Sequence, residues 1–308
     1  MARQSDCVQK YAATTNQMDT FMNSKIISLS LAVGSGLLFA SHALAQGAAA
    51  KLEFPAPSPG CTIKQRVGLT DVEVTYSRPS AKGRDIFGGV VPFDKVWRTG
   101  ANQATKVVFS TDVKLNGTNV SAGTYALMTI PAKDEWTIII NKPAEQGGPF
   151  KYDEKNDVVR FKAKPVKVAR ALETFTIEFN DIHEDSSLIN LSWDKTEVPI
   201  KLEVVFVEKL LAQIESIMAS DAKDKPYFQA AAFYLNHGQD LKKAKEWIEI
   251  ALKERDAYYM VFVKAQILNK LGDKEGAIAA SKHSTELAEK ANDAAYVRLN
   301  AEFMSKLK

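Results

Sequence analysis

Cysteine is nearly absent: the 308 residues contain two, Cys7 and Cys61. Cys7 lies ahead of an export signal, and its loss with that signal leaves Cys61 without an intramolecular partner, which excludes a disulfide-stapled fold. Histidine is almost as scarce, at four residues, and no zincin helix motif, second His cluster or EF-hand spacing accompanies it. No metal and no cofactor is therefore expected. Walker and dinucleotide glycine patterns are missing, since Gly88-Gly89 runs into Val-Val-Pro, a poor helix N-terminus for a phosphate. There is no Gly-x-Ser-x-Gly elbow, and a Ser-His-Asp arrangement would have to be assembled from distant pieces. Charge of one sign is also missing. Beyond residue 45 the chain carries 37 basic residues against 35 acidic, which removes the electrostatic case for nucleic acid. Past the signal no apolar run approaches the ~20 residues of a membrane span. A hydrophobic share of 45% with 25% charged residues is an ordinary globular balance and excludes disorder and collagen-like repeats.

What is present begins with an export signal. From Met22, Lys25 supplies a positive start, Ile26 to Phe39 an apolar run, and Ala43-Leu44-Ala45 a small-x-small cleavage site, so cleavage is expected before Gln46. Met22 opens a better signal than Met1, and residues 1–21 read as an upstream extension. Residues 46–61 form a proline-rich leader, with Cys61 a small residue at the start of a strand.

From residue 62 to 207 apolar residues recur at every second position, the period of a strand with one buried face. Nine runs are expected as strands, around Lys64, Val74, Val108, Tyr125, Ile138, Val159, Ile177, Leu191 and Leu202. Asn116-Gly117, between Lys106–Leu115 and the Tyr125 run, favours positive φ at both positions, as a tight hairpin turn requires. So many antiparallel strands point to a β-sandwich or a barrel-like domain. Residues 79–104 and 143–157 break the rhythm, and long irregular loops of this kind are where function usually resides.

After Val207 the period becomes helical, and residues 208–308 are expected as an α-helical repeat domain. Leu235 and Ala244 recur as Leu268 and Ala277, 33 residues on, so that Tyr227–Arg255 and Tyr259–Ala291 form two helix-turn-helix units resembling tetratricopeptide repeats. Ser281 and Ser284 depart from that pattern, where a large apolar residue and an alanine are expected. A final helix, Ala294 to Leu307, caps the stack.

The β-region carries a string of motifs: Gly68-Leu69-Thr70-Asp71-Val72, Tyr76-Ser77-Arg78-Pro79, Lys82-Gly83-Arg84, Ile86-Phe87-Gly88-Gly89-Val90-Val91-Pro92 and Val96-Trp97-Arg98-Thr99-Gly100-Ala101-Asn102. With Gly123-Thr124-Tyr125, Pro131, Trp136, Asn141-Lys142, Tyr152-Asp153 and Trp193, these make residues 55–205 resemble the secreted family called domain of unknown function 2911. The resemblance implies an exported β-rich domain and no chemistry. One departure is Gly147-Gly148-Pro149, where an aromatic is expected after Gln146.

Among polar residues, Arg78, Arg84, Trp97, Arg98, Thr99 and Asn102 gather in one glycine-rich stretch. Guanidinium forks take carboxylate or phosphate, glycines admit a ligand to backbone N–H groups, and an indole stacks on sugar or base, so a polar or anionic small ligand suits the set. The structural alternative has the arginines capping carbonyls and Trp97 plugging the sandwich end. Asp181, His183, Glu184 and Asp185 in a hairpin read as a solvated tip rather than a cation site. Tyr152, Asp153, Glu154, Lys155 and Asp157 could join the arginine loop in space.

The expectation is an exported protein, periplasmic or extracellular, without catalytic residues, binding a polar ligand or partner on the Arg/Trp loop and a protein on its helical repeats. The alternative is an envelope hydrolase acting on carbohydrate or peptide, with Arg98, Asn102 and a carboxylate from Asp153 or Glu154 at its centre. A third reading makes the β-domain architectural and leaves the repeats as the functional surface.

Overall fold

The computed structural model describes residues 52–307. The upstream extension, the export signal and the first part of the leader lie outside that range. Ten strands come first: β1 Gly60–Val67, β2 Thr70–Ser77, β3 Thr105–Phe109, β4 Val113–Leu115, β5 Thr118–Val120, β6 Gly123–Ile130, β7 Trp136–Asn141, β8 Asp157–Ala163, β9 Val166–Asn180 and β10 Ser186–Val204. They form a six-stranded sheet ordered β1-β2-β3-β6-β7-β8 and a four-stranded sheet ordered β5-β4-β10-β9, antiparallel throughout and not closed into a barrel. Six helices follow: α1 Val207–Ala219, α2 Tyr227–Asn236, α3 Leu241–Glu254, α4 Tyr258–Lys270, α5 Lys274–Lys290 and α6 Ala294–Ser305.

The alternating residues fill one core between the sheets, where Trp136, Trp193, Phe109 and Phe175 are fully buried. Two details differ from the periodicity. The Lys106–Leu115 run is two strands in different sheets, because the chain crosses over at Ser110–Asp112, where Ser110 N–H donates to Asp71 O (3.0 Å) and Asp112 Oδ1 accepts from Ala122 N (2.7 Å). Val107, Phe109, Val113 and Leu115 stay in phase across the crossing, so alternation cannot reveal it. Asn116-Gly117 accordingly turns β4 into β5 rather than into the Tyr125 strand, with φ of 46° and 79°. Conversely, the Leu191 and Leu202 runs are one 19-residue strand whose change of phase is absorbed by irregularities between Ser192 and Thr196.

The residues from Phe54 onward make one compact unit. Phe206 closes the sandwich core, and Val207, Leu210 of α1 and Phe233 of α2 pack against that core from the helical side. His237 lies against Phe233, with ring centroids 4.1 Å apart, and its Nε2 is 3.1 Å from Glu184 Oε1 in the β9–β10 hairpin. Beyond this junction α4 packs on α2 and α6 as well as on α3 and α5. Ala244 and Ala277 are both fully buried at these helix contacts. Ser281 and Ser284 are buried as well: Ser281 Oγ donates to Asn300 Oδ1 (2.8 Å), while Asn300 Nδ2 donates to Ser284 Oγ (2.9 Å) and Tyr296 O (2.8 Å). The two serines that break the repeat pattern thus pin α6 to α5 by a satisfied polar network.

Candidate functional site

The loop from Pro79 to Ala104 is tied to the sandwich by the residues that the sequence marks out. Trp97 exchanges two backbone hydrogen bonds with Thr129 of β6 (2.7 and 2.9 Å), which places its indole over the open end of the core. There it meets Phe87, Trp136, Phe175 and Trp193 at centroid distances of 5.0–6.3 Å and is 8% exposed. Its Nε1 donates to Gly100 O (3.0 Å), so the one polar atom of the ring is satisfied inside the loop. Thr99 is fully buried at φ 51°, with Oγ1 donating to Thr129 Oγ1 (3.1 Å) and its carbonyl accepting from Thr105 Oγ1 (2.5 Å).

The three arginines bond carbonyl oxygens. Arg78 donates from Nε to Phe175 O (3.1 Å) and from Nη2 to Thr176 Oγ1 (2.8 Å); Arg84 donates to Ala81 O (3.0 Å) and Ser80 O (2.8 Å); Arg98 donates from Nη1 to Asn102 O (2.7 Å). Asn102 in turn donates to Ser58 O and Ser77 Oγ, at 3.3 and 3.2 Å. Arg78 belongs to a larger device. Along the outer edge of β9, Tyr76 OH accepts from Ile177 N (2.9 Å), Phe175 N donates to Pro79 O (2.9 Å) and Ala81 N donates to Glu173 O (2.7 Å). Tyr76-Ser77-Arg78-Pro79 therefore covers a strand edge that would otherwise offer free N–H and C=O groups. On these acceptors Arg84 is exposed and Arg78 and Arg98 are half-buried, while Trp97 is buried in the core.

The loop between β7 and β8 meets this region through Gln146 and Gly148. Ala104 N donates to Gln146 O (2.9 Å), and Gly148, at φ 111°, lies so close to the Arg98 guanidinium that a Cβ would stand 2.8 Å from Arg98 Cζ. The positive φ favours glycine at 148, while Gly147, the residue directly after Gln146, has no close neighbour where a Cβ would stand, and nothing in the structure explains the absence of an aromatic there. The carboxylates of this loop turn elsewhere. Asp157 accepts from Tyr152 OH (2.8 Å), from Asn141 Nδ2 (2.7 Å) and from Arg160 Nε. Glu154 pairs with Arg160 at 3.1 Å, and Asp153 Oδ1 accepts from Lys155 N at 3.0 Å. Among the described residues no carboxylate pairs with Arg78, Arg84 or Arg98. Burial, reinforced by the bond to Asp157, pushes the Tyr152 phenol up to about 12.

Asp181, His183, Glu184 and Asp185 are exposed in the β9–β10 hairpin, and Glu184 reaches His237 rather than its neighbours. Among the described residues no group of three or more His, Cys, Asp or Glu is placed to hold a metal ion.

The helical part holds two features that the apolar periodicity does not announce. One is a cleft of about 480 Å³ between α3 and α5, floored by Val261 and Leu268 of α4 and rimmed by the pairs Lys264–Glu249 (3.6 Å) and His283–Asp256 (2.8 Å). The other is an aromatic strip across α2, α4 and α6. Phe228, Tyr259, Tyr258, Tyr296, Phe262 and Phe303 touch in that order, with centroids 4.8–5.9 Å apart, and each is partly exposed. Tyr258, Tyr259 and Phe262 all sit in the first turns of one helix, and that clustering was the signal available in the sequence.

Among the described residues no helix is long and apolar enough to cross a membrane. No curated protein and no solved structure matches the chain. Residues 58–202, which span the sandwich and the loops just described, match the family described as Protein of unknown function (DUF2911).

Proposed function

We propose that this is an exported, non-catalytic binding or scaffold protein of the cell envelope that docks a protein partner on its helical part. The aromatic strip carries the reading. Six aromatic side chains held partly in solvent across three helices are an interface composition, since rigid amphipathic rings bury large area at low entropic cost. The recurrence of Leu235 and Ala244 as Leu268 and Ala277, all buried, supports a tetratricopeptide-like pairing of the helices. The segment from Met22 to Ala45 supports export. Engagement of the loop carboxylates with Arg160, Asn141 and Tyr152 weighs against a hydrolase centred on Arg98 and Asn102.

A second reading, a polar or anionic ligand at Arg98 and Asn102, is favoured by one observation: among the described residues Arg98 has no carboxylate partner and donates a single hydrogen bond. A thermal-shift screen with sugars and phosphates decides it, because a ligand of the folded state raises Tm, and an increment that survives Arg98→Ala refutes it. For the docking reading, a photocrosslinking residue in place of the exposed Leu299, introduced in native cells, is expected to give a discrete protein adduct that Tyr259→Ala removes. Recovery of only uncrosslinked chain refutes docking at this face. The exported chain is expected to begin at Gln46 by mass spectrometry.

A further inference from the structure

Independently of the docking reading, we infer that the cleft between α3 and α5 binds a small amphipathic monocarboxylic acid, with its carboxylate on Lys245 and its apolar body along the floor. A hollow of about 480 Å³ is of the size that takes a small molecule. Its floor is apolar: Val261 and Leu268 of α4 are buried there, and Leu252 of α3 lines it half-buried. On the α5 side the lining residues are Gly276, Ala279 and Ala280, whose small size leaves the space open. Gly276 is fixed by the cap of its own helix, since a Cβ there would collide with the Asp273 carboxylate.

The charged groups that line the cleft decide the sign of the ligand. Each acid among them already has a partner. Glu249 lies 3.6 Å from Lys264, Asp256 lies 2.8 Å from His283, and Asp273 accepts from Gly276 N at the start of α5 (2.8 Å). Lys245 lines the same cleft, one turn before Glu249 on α3, and among the described residues no carboxylate pairs with it. A half-buried ammonium without an acid partner, beside an apolar floor, is complementary to one carboxylate on an apolar body. A peptide segment suits the cleft less well, because its main-chain N–H and C=O groups would need partners and the other charged groups here are engaged with one another.

The test is isothermal titration calorimetry of the purified protein with octanoate, octylamine and acetate. These present head and body together, the same body under the opposite charge, and the head alone. Octanoate is expected to bind saturably with a Kd of about 1 mM or below, the range open to a ligand of about ten heavy atoms, and the other two about tenfold or more weakly. Lys245→Gln removes the cation and Ala279→Trp fills the hollow, and each is expected to weaken octanoate about tenfold or more. Lys245 is half-buried, Ala279 is exposed, and the two lie on different helices, so the unliganded Tm of each variant should stay within about 2 °C of wild type. Octylamine binding as tightly as octanoate would assign the cleft to its acids and overturn the inference. Acetate binding as tightly overturns it too, since the apolar floor would then contribute nothing. No saturable binding of octanoate, or binding that either folded variant leaves unchanged, has the same consequence. The aromatic strip is untouched by these outcomes, and the Leu299 crosslink tests the docking reading separately.

Discussion

Trp97→Ala separates a plug from a ligand platform. The indole is 8% exposed and touches four other aromatic rings, so its removal leaves a cavity at the end of the sandwich that those rings cannot fill without leaving their own contacts. Large-to-small substitution at such a site costs about 3–5 kcal/mol. Losing the Nε1 bond leaves Gly100 O without its donor, and a buried carbonyl so exposed to loss adds about 1 kcal/mol. At roughly 2–4 °C per kcal/mol for a chain of this size, a loss of about 4–6 kcal/mol lowers Tm by roughly 8–24 °C. The assay is thermal unfolding followed by circular dichroism, with acrylamide quenching of the wild type as a companion. All four tryptophans are 8% exposed or less, so quenching should be weak. A ligand platform would behave oppositely, with a stacking face open to solvent and little stability lost on truncation. A fall in Tm smaller than about 3 °C, or strong quenching attributable to Trp97, refutes the plug.

Three further outcomes follow from other contacts. Gly148→Ala forces a Cβ against the Arg98 guanidinium at a positive φ, and should destabilise by about 1–3 kcal/mol in chemical denaturation, with part of the cost relieved in an Arg98→Ala background; equal cost in both backgrounds would mean that the contact is immaterial. Asn300→Leu strips Ser281 and Ser284 of a buried partner and should cost about 1–3 kcal/mol, part of which Ser281→Ala restores; a neutral Asn300→Leu contradicts the pinning of α6. The Tyr152 phenol, raised to about 12, favours the fold in its protonated form. Its contribution is full below the unfolded value of about 10 and is lost as pH rises from there through the folded value. Ultraviolet titration of wild type against Tyr152→Phe reads the phenol directly, and ionisation of Tyr152 near pH 10 rules out the buried bond to Asp157.

Much of the architecture is legible in the residues because it depends on local rules. Alternation marks the inward faces from Val72 to Val204, Asn116-Gly117 announces a turn with both φ positive, and the repeat of Leu235 and Ala244 locates the helix pairs. The crossing at Ser110–Asp112 and the fusion of two runs into β10 are not legible, since the first preserves phase and the second alters it within one strand. The same limit governs the arginine loop. Residue type identified Arg78, Arg84 and Arg98 as groups in need of acceptors; Arg84 and Arg98 find carbonyls within their own loop, whereas the acceptors of Arg78 are on β9, about 100 residues away in the chain.

The chain by itself determined that strands come first and helices follow, and which faces turn inward, because each follows from spacing of a few residues. Only the tertiary structure decided that Tyr76 and Arg78 cover the edge of β9, that Gly148 makes room for Arg98, and that six aromatics on α2, α4 and α6 join into one strip. These are contacts between segments far apart in sequence, and no local period records which distant surfaces will be brought together.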